Sequence, residues 1–213
     1  ALGEFGSVEG IAPLTHALSE DDWASSVRYN PHAAVGNAES AGNRNYLVHG
    51  RWDSWPWHGI ALGAHAARLF SIVLGVLTVV FAYLIARRLA RGSELAGALA
   101  AALVAFNPQF LFLSASVSND NLIAATCAIG LWLCLRIVDS RTTMPRRWPI
   151  LLGIVVGTAA LAKLSGLLLV LPALVALGIA GWKLRSWRAW LGGSALVLLI
   201  AGAVAGWWYW RNW

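Results

Sequence analysis

Charge is what this chain has least of. Asp, Glu, Lys and Arg make up 12% of its 213 residues, against 58% hydrophobic, whereas a soluble domain carries about 25% charged residues. Residues 69–86, 95–119, 164–182 and 189–210 contain no charged side chain, and neither do the shorter runs 121–135 and 148–162. Apolar runs of this length leave no polar face for water, which excludes an ordinary soluble bundle. Cysteine is nearly absent too. Cys127 and Cys134 lie on one apolar run, too far apart along a helix for a disulfide, which needs Cα atoms within about 7 Å. They read as small packing residues, and no cysteine ligand cluster exists. There is no GxxxxGK phosphate loop and no serine nucleophile elbow, so two common nucleotide-binding and hydrolase signatures are missing. The opening "ALGEFGSVEG" has neither a basic leader nor an apolar core and does not read as a signal peptide. Both ends read as cuts through a longer protein.

What is present is membrane-spanning pattern. A helix crossing the hydrocarbon needs roughly 20 residues. Six spans fit, at about 64–86, 95–114, 119–138, 147–162, 165–182 and 189–210, the fourth short and the second interrupted. The expected fold is an all-α polytopic membrane protein with about six transmembrane helices, residues 61–213, preceded by an external loop region, residues 1–60. Basic residues crowd alternate connections: Arg87, Arg88 and Arg91; Arg136, Arg141, Arg146 and Arg147; Lys183, Arg185 and Arg188. By the positive-inside rule these loops are cytoplasmic, which puts residues 1–60 and the carboxyl end outside. The net charge of +6 therefore calls for no nucleic acid. Residues 1–60 hold seven acids against three bases, and the rest holds three acids against thirteen bases, most of them in those loops. Thirteen tryptophans mostly flank the spans, as amphipathic rings at headgroup level do. Trp132, near mid-span, reads as packing.

The amino-terminal segment, residues 1–60, has three parts, two of which carry a local signal. Residues 14–28 fit a short helix with a cap at Ser19 and acids in its first turn. "YNPHAAVGNAESAGNRNYLVHGRWDSWPWHG" has little periodicity and reads as an irregular loop laid along the membrane by Trp52, Trp55 and Trp57. In the second span, Pro108 removes an amide and Asn107 before it is biased away from α geometry. Regular helix is expected to stop there, with 109–118 re-entering or skimming the outer boundary beside a cavity. The next helix starts at Asn119 or Asp120. Gly153, Gly157 and Thr158 give the fourth span a narrow face. Ser165 and Gly166 make a turn, and Pro172 is positioned to kink the helix after it.

The ionisable groups outside the basic loops are the chemical candidates. Arg68, Asp120, Lys163 and Arg211 all fall at outer span ends, with His65 on the same helix face as Arg68 and with His58 and His49 nearby in sequence. Each also has a bland explanation: a snorkelling Lys163, a capping Asp120, an Arg68 reaching headgroups. Intramembrane ionisable residues, however, usually face a cavity or a partner. Three cations and one carboxylate suit a phosphate-bearing lipid, since Arg grips phosphate bidentately and Lys adds a point charge. Asp120 is the candidate catalytic residue and the candidate ligand for a divalent metal. Arg68, Lys163, His65, His58 and Arg211 are the candidate substrate-binding residues.

The pattern "ARLFSIVLGVLTVVFAYLIARRL … ELAGALAAALVAFNPQFLFLSASVSNDNL … GIVVGTAALAKLSG", and the ending "WWYWRNW", resemble the polyprenyl-phosphate-sugar glycosyltransferases. The likeness is to the bacterial phospholipid-carrier-dependent group, related to protein O-mannosyltransferases and the aminoarabinose lipid A transferase, and covers about residues 55–170. The resemblance implies the membrane glycosyltransferase C fold and transfer of a sugar from a polyprenyl-phosphate donor at the outer face of the bacterial cytoplasmic membrane. The acceptor would be a protein, lipid or glycan. It also implies that Arg68 and Lys163 face the donor phosphate and that Asp120 supports the site or its metal. The family's first helix and the acidic motif after it would then lie upstream of Ala1. Glu4 and Glu9, the acids nearest that place, do not match the motif. Two other classes compete with the enzyme: an accessory or structural subunit with membrane protein partners, and a transporter drawing on the broken second span.

Overall fold

In the computed structural model, residues 55–212 are described. The short helix expected over 14–28, the loop with His49, and Trp52 lie outside the described residues. The chain divides into two units, Ala1–Ala66 and Ala67–Trp213. Among the described residues every regular element is a helix.

Helix α1, Gly59–Leu89, is long and apolar and ends on Arg87 and Arg88, cations that suit the negative end of the helix dipole. Arg91 and Gly92 close it with positive φ, 54° and 96°, and Gly92 N–H donates to the Arg87 carbonyl at 2.8 Å. This is a glycine-dependent stop that satisfies an otherwise orphaned carbonyl. Ser93 then caps α2, Glu94–Ala105, its Oγ accepting from Ala96 N–H.

The second span breaks where expected, but it does not unwind. Asn107, extended at φ −70°, ψ 119°, caps a fresh helix α3, Pro108–Ala115, by accepting from Phe110 N–H at 3.1 Å. Pro108 sits at the first helical position, where its missing N–H costs nothing. Helices α2 and α3 meet at 65°. The stretch expected to be irregular is thus largely helical.

Helix α4, Asn119–Val138, matches the expected third span. Helix α5, Arg147–Ala162, is apolar but only 16 residues, roughly 24 Å. Lys163 stops it in an extended conformation, φ −161°. The expected turn at Ser165 and Gly166 is the start of a 3₁₀ helix, Leu164–Leu169, which leads into α6, Val170–Lys183. Pro172 lies in the first turn of α6 and marks its start, where no intrahelical N–H is lost. Helix α7, Trp187–Asn212, completes the chain.

Among the described residues four helices are long and apolar enough to cross a membrane, or five if the bent α2–α3 pair is one span. Leu133 and Ile137 of α4, Leu152 and Val156 of α5, Leu169 of the 3₁₀ helix, Leu177 of α6 and Val197 of α7 form one core. Helix α5 is central to it and packs on α4, the 3₁₀ helix and α7. The α5–α7 approach is set by the small-residue face: a Cβ on Gly153 would stand 2.9 Å from Ile200 Cβ, and one on Gly157 2.7 Å from Val204 Cβ. Close backbone approach through small residues is how apolar helices associate where water gives no driving force. Cys134 is in the core and both cysteines are free. The lipid-ready surface is broad: Leu69, Phe70, Leu103, Phe106, Phe112, Leu168, Leu171 and Leu199 are all well exposed.

The bundle has two chemically different ends. Arg88 pairs with Asp139, and Lys183 Nζ donates to the Val138 carbonyl at 3.1 Å. The basic connections after α1, α4 and α6 therefore share one end. At the other end Asn119 Nδ2 donates to the Ala162 carbonyl at 2.9 Å, and Tyr209 Oη to the Ala160 carbonyl at 2.7 Å. The start of α4 and the ends of α5 and α7 meet there. The two ends of α4 lie roughly 28 Å apart, from 1.5 Å per residue.

Candidate functional site

The site builds up from the start of α4. Ser118 is the N-cap, its Oγ accepting from Asp120 N–H at 3.1 Å. Asp120 is therefore not the cap: it stands in the first turn, where its negative charge suits the helix dipole. Its carboxylate faces across to the end of α5. Lys163 Nζ donates to Asp120 Oδ1 at 2.8 Å, and Ser118 Oγ lies 3.3 Å from Oδ2. Both partners of the ion pair stay partly open, with 50% of the Lys163 side chain and 39% of the Asp120 side chain exposed. A salt bridge this accessible adds little stability, yet it fixes an ammonium group at a span end.

Several polar contacts hold that pair in place. Asn121 is buried, 4% exposed, and its Nδ2 donates to the Leu113 carbonyl at 2.8 Å and the Ser116 carbonyl at 2.9 Å. It ties the first turn of α4 to the end of α3. On the α5 side, Gly166 packs directly against the backbone of Ala159, where a Cβ would collide, so the chain leaves Lys163 in a tight turn. Asn119, Asn121, Ser118 and Tyr209 were not among the sequence candidates. The only available signal was the polar cluster Ser114–Asn121 at the head of an apolar run.

The remaining candidates are placed as follows. Arg88 pairs with Asp139, and Phe81 meets Trp132 edge to face at 5.5 Å. Both pairs are 51 residues apart, so α1 and α4 run parallel at this separation. Arg68 is exposed and makes no ion pair among the described residues. Arg211 is exposed and lies two residues beyond Tyr209, at the Lys163 end. In the other unit, His65 stacks on Trp57 with ring centroids 3.9 Å apart, and His58 is exposed. Of the candidate set, Asp120 and Lys163 are brought into direct contact.

Among the described residues no three His, Cys, Asp or Glu side chains come together. Asp120 Oδ1 accepts from Lys163 Nζ, so its carboxylate stands here as the partner of an ammonium.

A second feature adjoins the break between α2 and α3. Ile72, Val76, Val79 and Val80 of α1 face Phe110, Leu111 and Ser114 of α3 around an apolar cavity of about 430 Å³. Ser114 Oγ is shielded and has no hydrogen-bond partner among the described residues. Gly75 permits the approach, since a Cβ there would stand 2.8 Å from that oxygen. Phe110, Leu111, Ser114 and Ala115 are the residues of the 109–118 stretch that line this apolar cavity.

The helical architecture, with its long apolar spans between two polar, charge-paired ends, defines a multi-pass membrane protein. Residues 52–210 match the model of the dolichyl-phosphate-mannose-protein mannosyltransferase family. The chain belongs to that family, and membership carries a general glycosyltransferase function. No curated protein and no solved structure matches it.

Proposed function

We propose that the chain transfers a sugar from a polyprenyl-phosphate donor at the outer membrane face to a hydroxyl of a protein, lipid or glycan. In this reading all six apolar segments, α5 included, belong to a membrane glycosyltransferase C fold. The basic end is cytoplasmic, and residues 1–60 and the carboxyl end are outside. The observation that carries the proposal is the Asp120–Lys163 pair, half open to the surface at the end away from the basic loops.

The chemistry follows from that geometry. Transfer breaks the bond between the sugar's anomeric carbon and the phosphate oxygen, and the electron pair leaves with the phosphate. A new bond forms to the acceptor oxygen, whose proton passes to a base. Negative charge grows on the departing phosphate, so fixed cations beside it lower the barrier. Lys163 serves this purpose, with Arg68 and Arg211 as the further cations of this reading. Asp120 acts as a positioning residue: its Oδ1 is bonded to Lys163 Nζ, which holds the ammonium at the span end. The apolar cavity between α1 and α3 suits an isoprenoid tail, as it is lined almost wholly by aliphatic and aromatic side chains.

Binding of a polyprenyl-phosphate sugar to the full-length protein in lipid nanodiscs tests this. Lys163→Ala and Arg68→Ala should each weaken binding roughly tenfold to a hundredfold, the value of a charge-assisted contact. Wild-type affinity in both folded variants would leave the two cations as membrane anchors and reject the phosphate site.

A further inference from the structure

The end of the bundle away from Asp120 carries a charged cavity that the transfer reaction does not use. It encloses about 510 Å³ between the end of α1 and the end of α4, lined by Leu84, Arg87, Arg88, Gly92, Trp132, Arg136 and Asp139. Three guanidinium groups thus face one carboxylate.

Their partners distinguish them. Arg87 pairs with Glu94 at 2.8 Å and Arg88 with Asp139. Arg136 makes no ion pair among the described residues. It is held instead between aromatic faces, its guanidinium 5.6 Å from the Trp132 ring and 5.1 Å from the Trp148 ring. The two indoles meet edge to face at 6.1 Å, and Arg147 covers Trp148 at 4.8 Å. Aromatic stacking orients a guanidinium while leaving its in-plane N–H groups free for an oxyanion. Gly92 opens the rim, since a Cβ there would meet nothing within 4 Å.

We propose that this cavity binds a phosphate-ester anion, with Arg136 as its principal contact. The site lies at a span end, with indole rings beside it and the exposed apolar face of α1, Val76 and Val80, along the same helix. That setting matches the headgroup of an anionic membrane lipid, for which basic pockets between spans at the cytoplasmic side are suited. A soluble phosphate has the same recognition chemistry and is the other source. The site is about one membrane thickness from Asp120 and does not rest on the donor-binding proposal.

The test is native mass spectrometry of the detergent-solubilised full-length protein, titrated with phosphatidylglycerol, with phosphatidylcholine and with inorganic phosphate. Wild type should retain phosphatidylglycerol at least about tenfold more tightly than Arg136→Ala, the scale of one charge-assisted contact, with phosphatidylcholine weaker throughout. Arg141→Ala, exposed and outside the cavity, should bind as wild type. Retention of phosphate that displaces the lipid would assign the site to a soluble ligand. Equal retention of phosphatidylglycerol and of phosphate by wild type and Arg136→Ala would overturn the site. If Arg136→Ala fails to fold, Arg136→Lys decides: it keeps the charge but loses the planar fork, and wild-type affinity in it contradicts the proposal.

Discussion

Replacing Asn121 by Ala should loosen the end of the bundle that carries the ion pair. The side chain is 4% exposed and supplies two hydrogen bonds, at 2.8 Å to the Leu113 carbonyl and 2.9 Å to the Ser116 carbonyl. The two acceptors do not suffer equally. The Leu113 carbonyl still accepts from Ser116 N–H at 3.0 Å and Ser116 Oγ at 2.8 Å. The Ser116 carbonyl accepts from Asn121. At about 0.5–1.5 kcal/mol for each neutral bond, the pair is worth about 1–3 kcal/mol. Asn121→Asp should cost more than Asn121→Ala, because it keeps the volume, removes both N–H donors and sets a carboxylate against two carbonyl oxygens. Denaturant titration in micelles, read by tryptophan fluorescence, measures both. Both variants falling within about 0.5 kcal/mol of wild type, the range of ordinary surface changes, would refute the claim that Asn121 clamps α3 to α4.

Gly157→Leu should force α5 from α7, because even a Cβ there lies 2.7 Å from Val204 Cβ. An overpacking loss of about 1–3 kcal/mol is expected in the same titration, and wild-type stability would contradict the close approach. Tyr209→Phe removes one bond to the Ala160 carbonyl and should cost about 0.5–1.5 kcal/mol; a stabilised variant would count against that tether. For sidedness, Val117→Cys and Thr142→Cys in a chain lacking Cys127 and Cys134 should differ in intact cells. An impermeant thiol reagent should label Val117→Cys alone, and the reverse pattern would invert the topology.

The spans were legible because lipid imposes a crude requirement, about 20 residues without charge. Asn119–Val138 shows this well, since Asp120 and Arg136 bracket its apolar stretch. Helix α5 was harder: at 16 residues its length does not settle whether it crosses alone. The break at Asn107–Pro108 was legible, but its outcome was not. Proline forbids the continuation of one helix and equally favours the start of another, and Asn107 supplied the cap that decided it. The charged candidates show the same division. The pattern placed Asp120 and Lys163 at the same end, whereas their contact depends on how α5 terminates against α4. That termination rests on Gly166 and on Asn119 reaching the Ala162 carbonyl. The cap, the bland explanation for Asp120, is Ser118 instead, because a cap precedes the first helical residue and α4 begins at Asn119.

The central claim is that Lys163, held by Asp120, stabilises a departing phosphate. Turnover of a polyprenyl-phosphate sugar by the full-length enzyme tests it most directly, comparing Lys163→Ala with Arg141→Ala as a control from the opposite end. The account predicts that Lys163→Ala lowers kcat about 100-fold or more, the scale of removing one preorganised stabilising group, while Arg141→Ala turns over as wild type. A folded Lys163→Ala protein with undiminished kcat would contradict it.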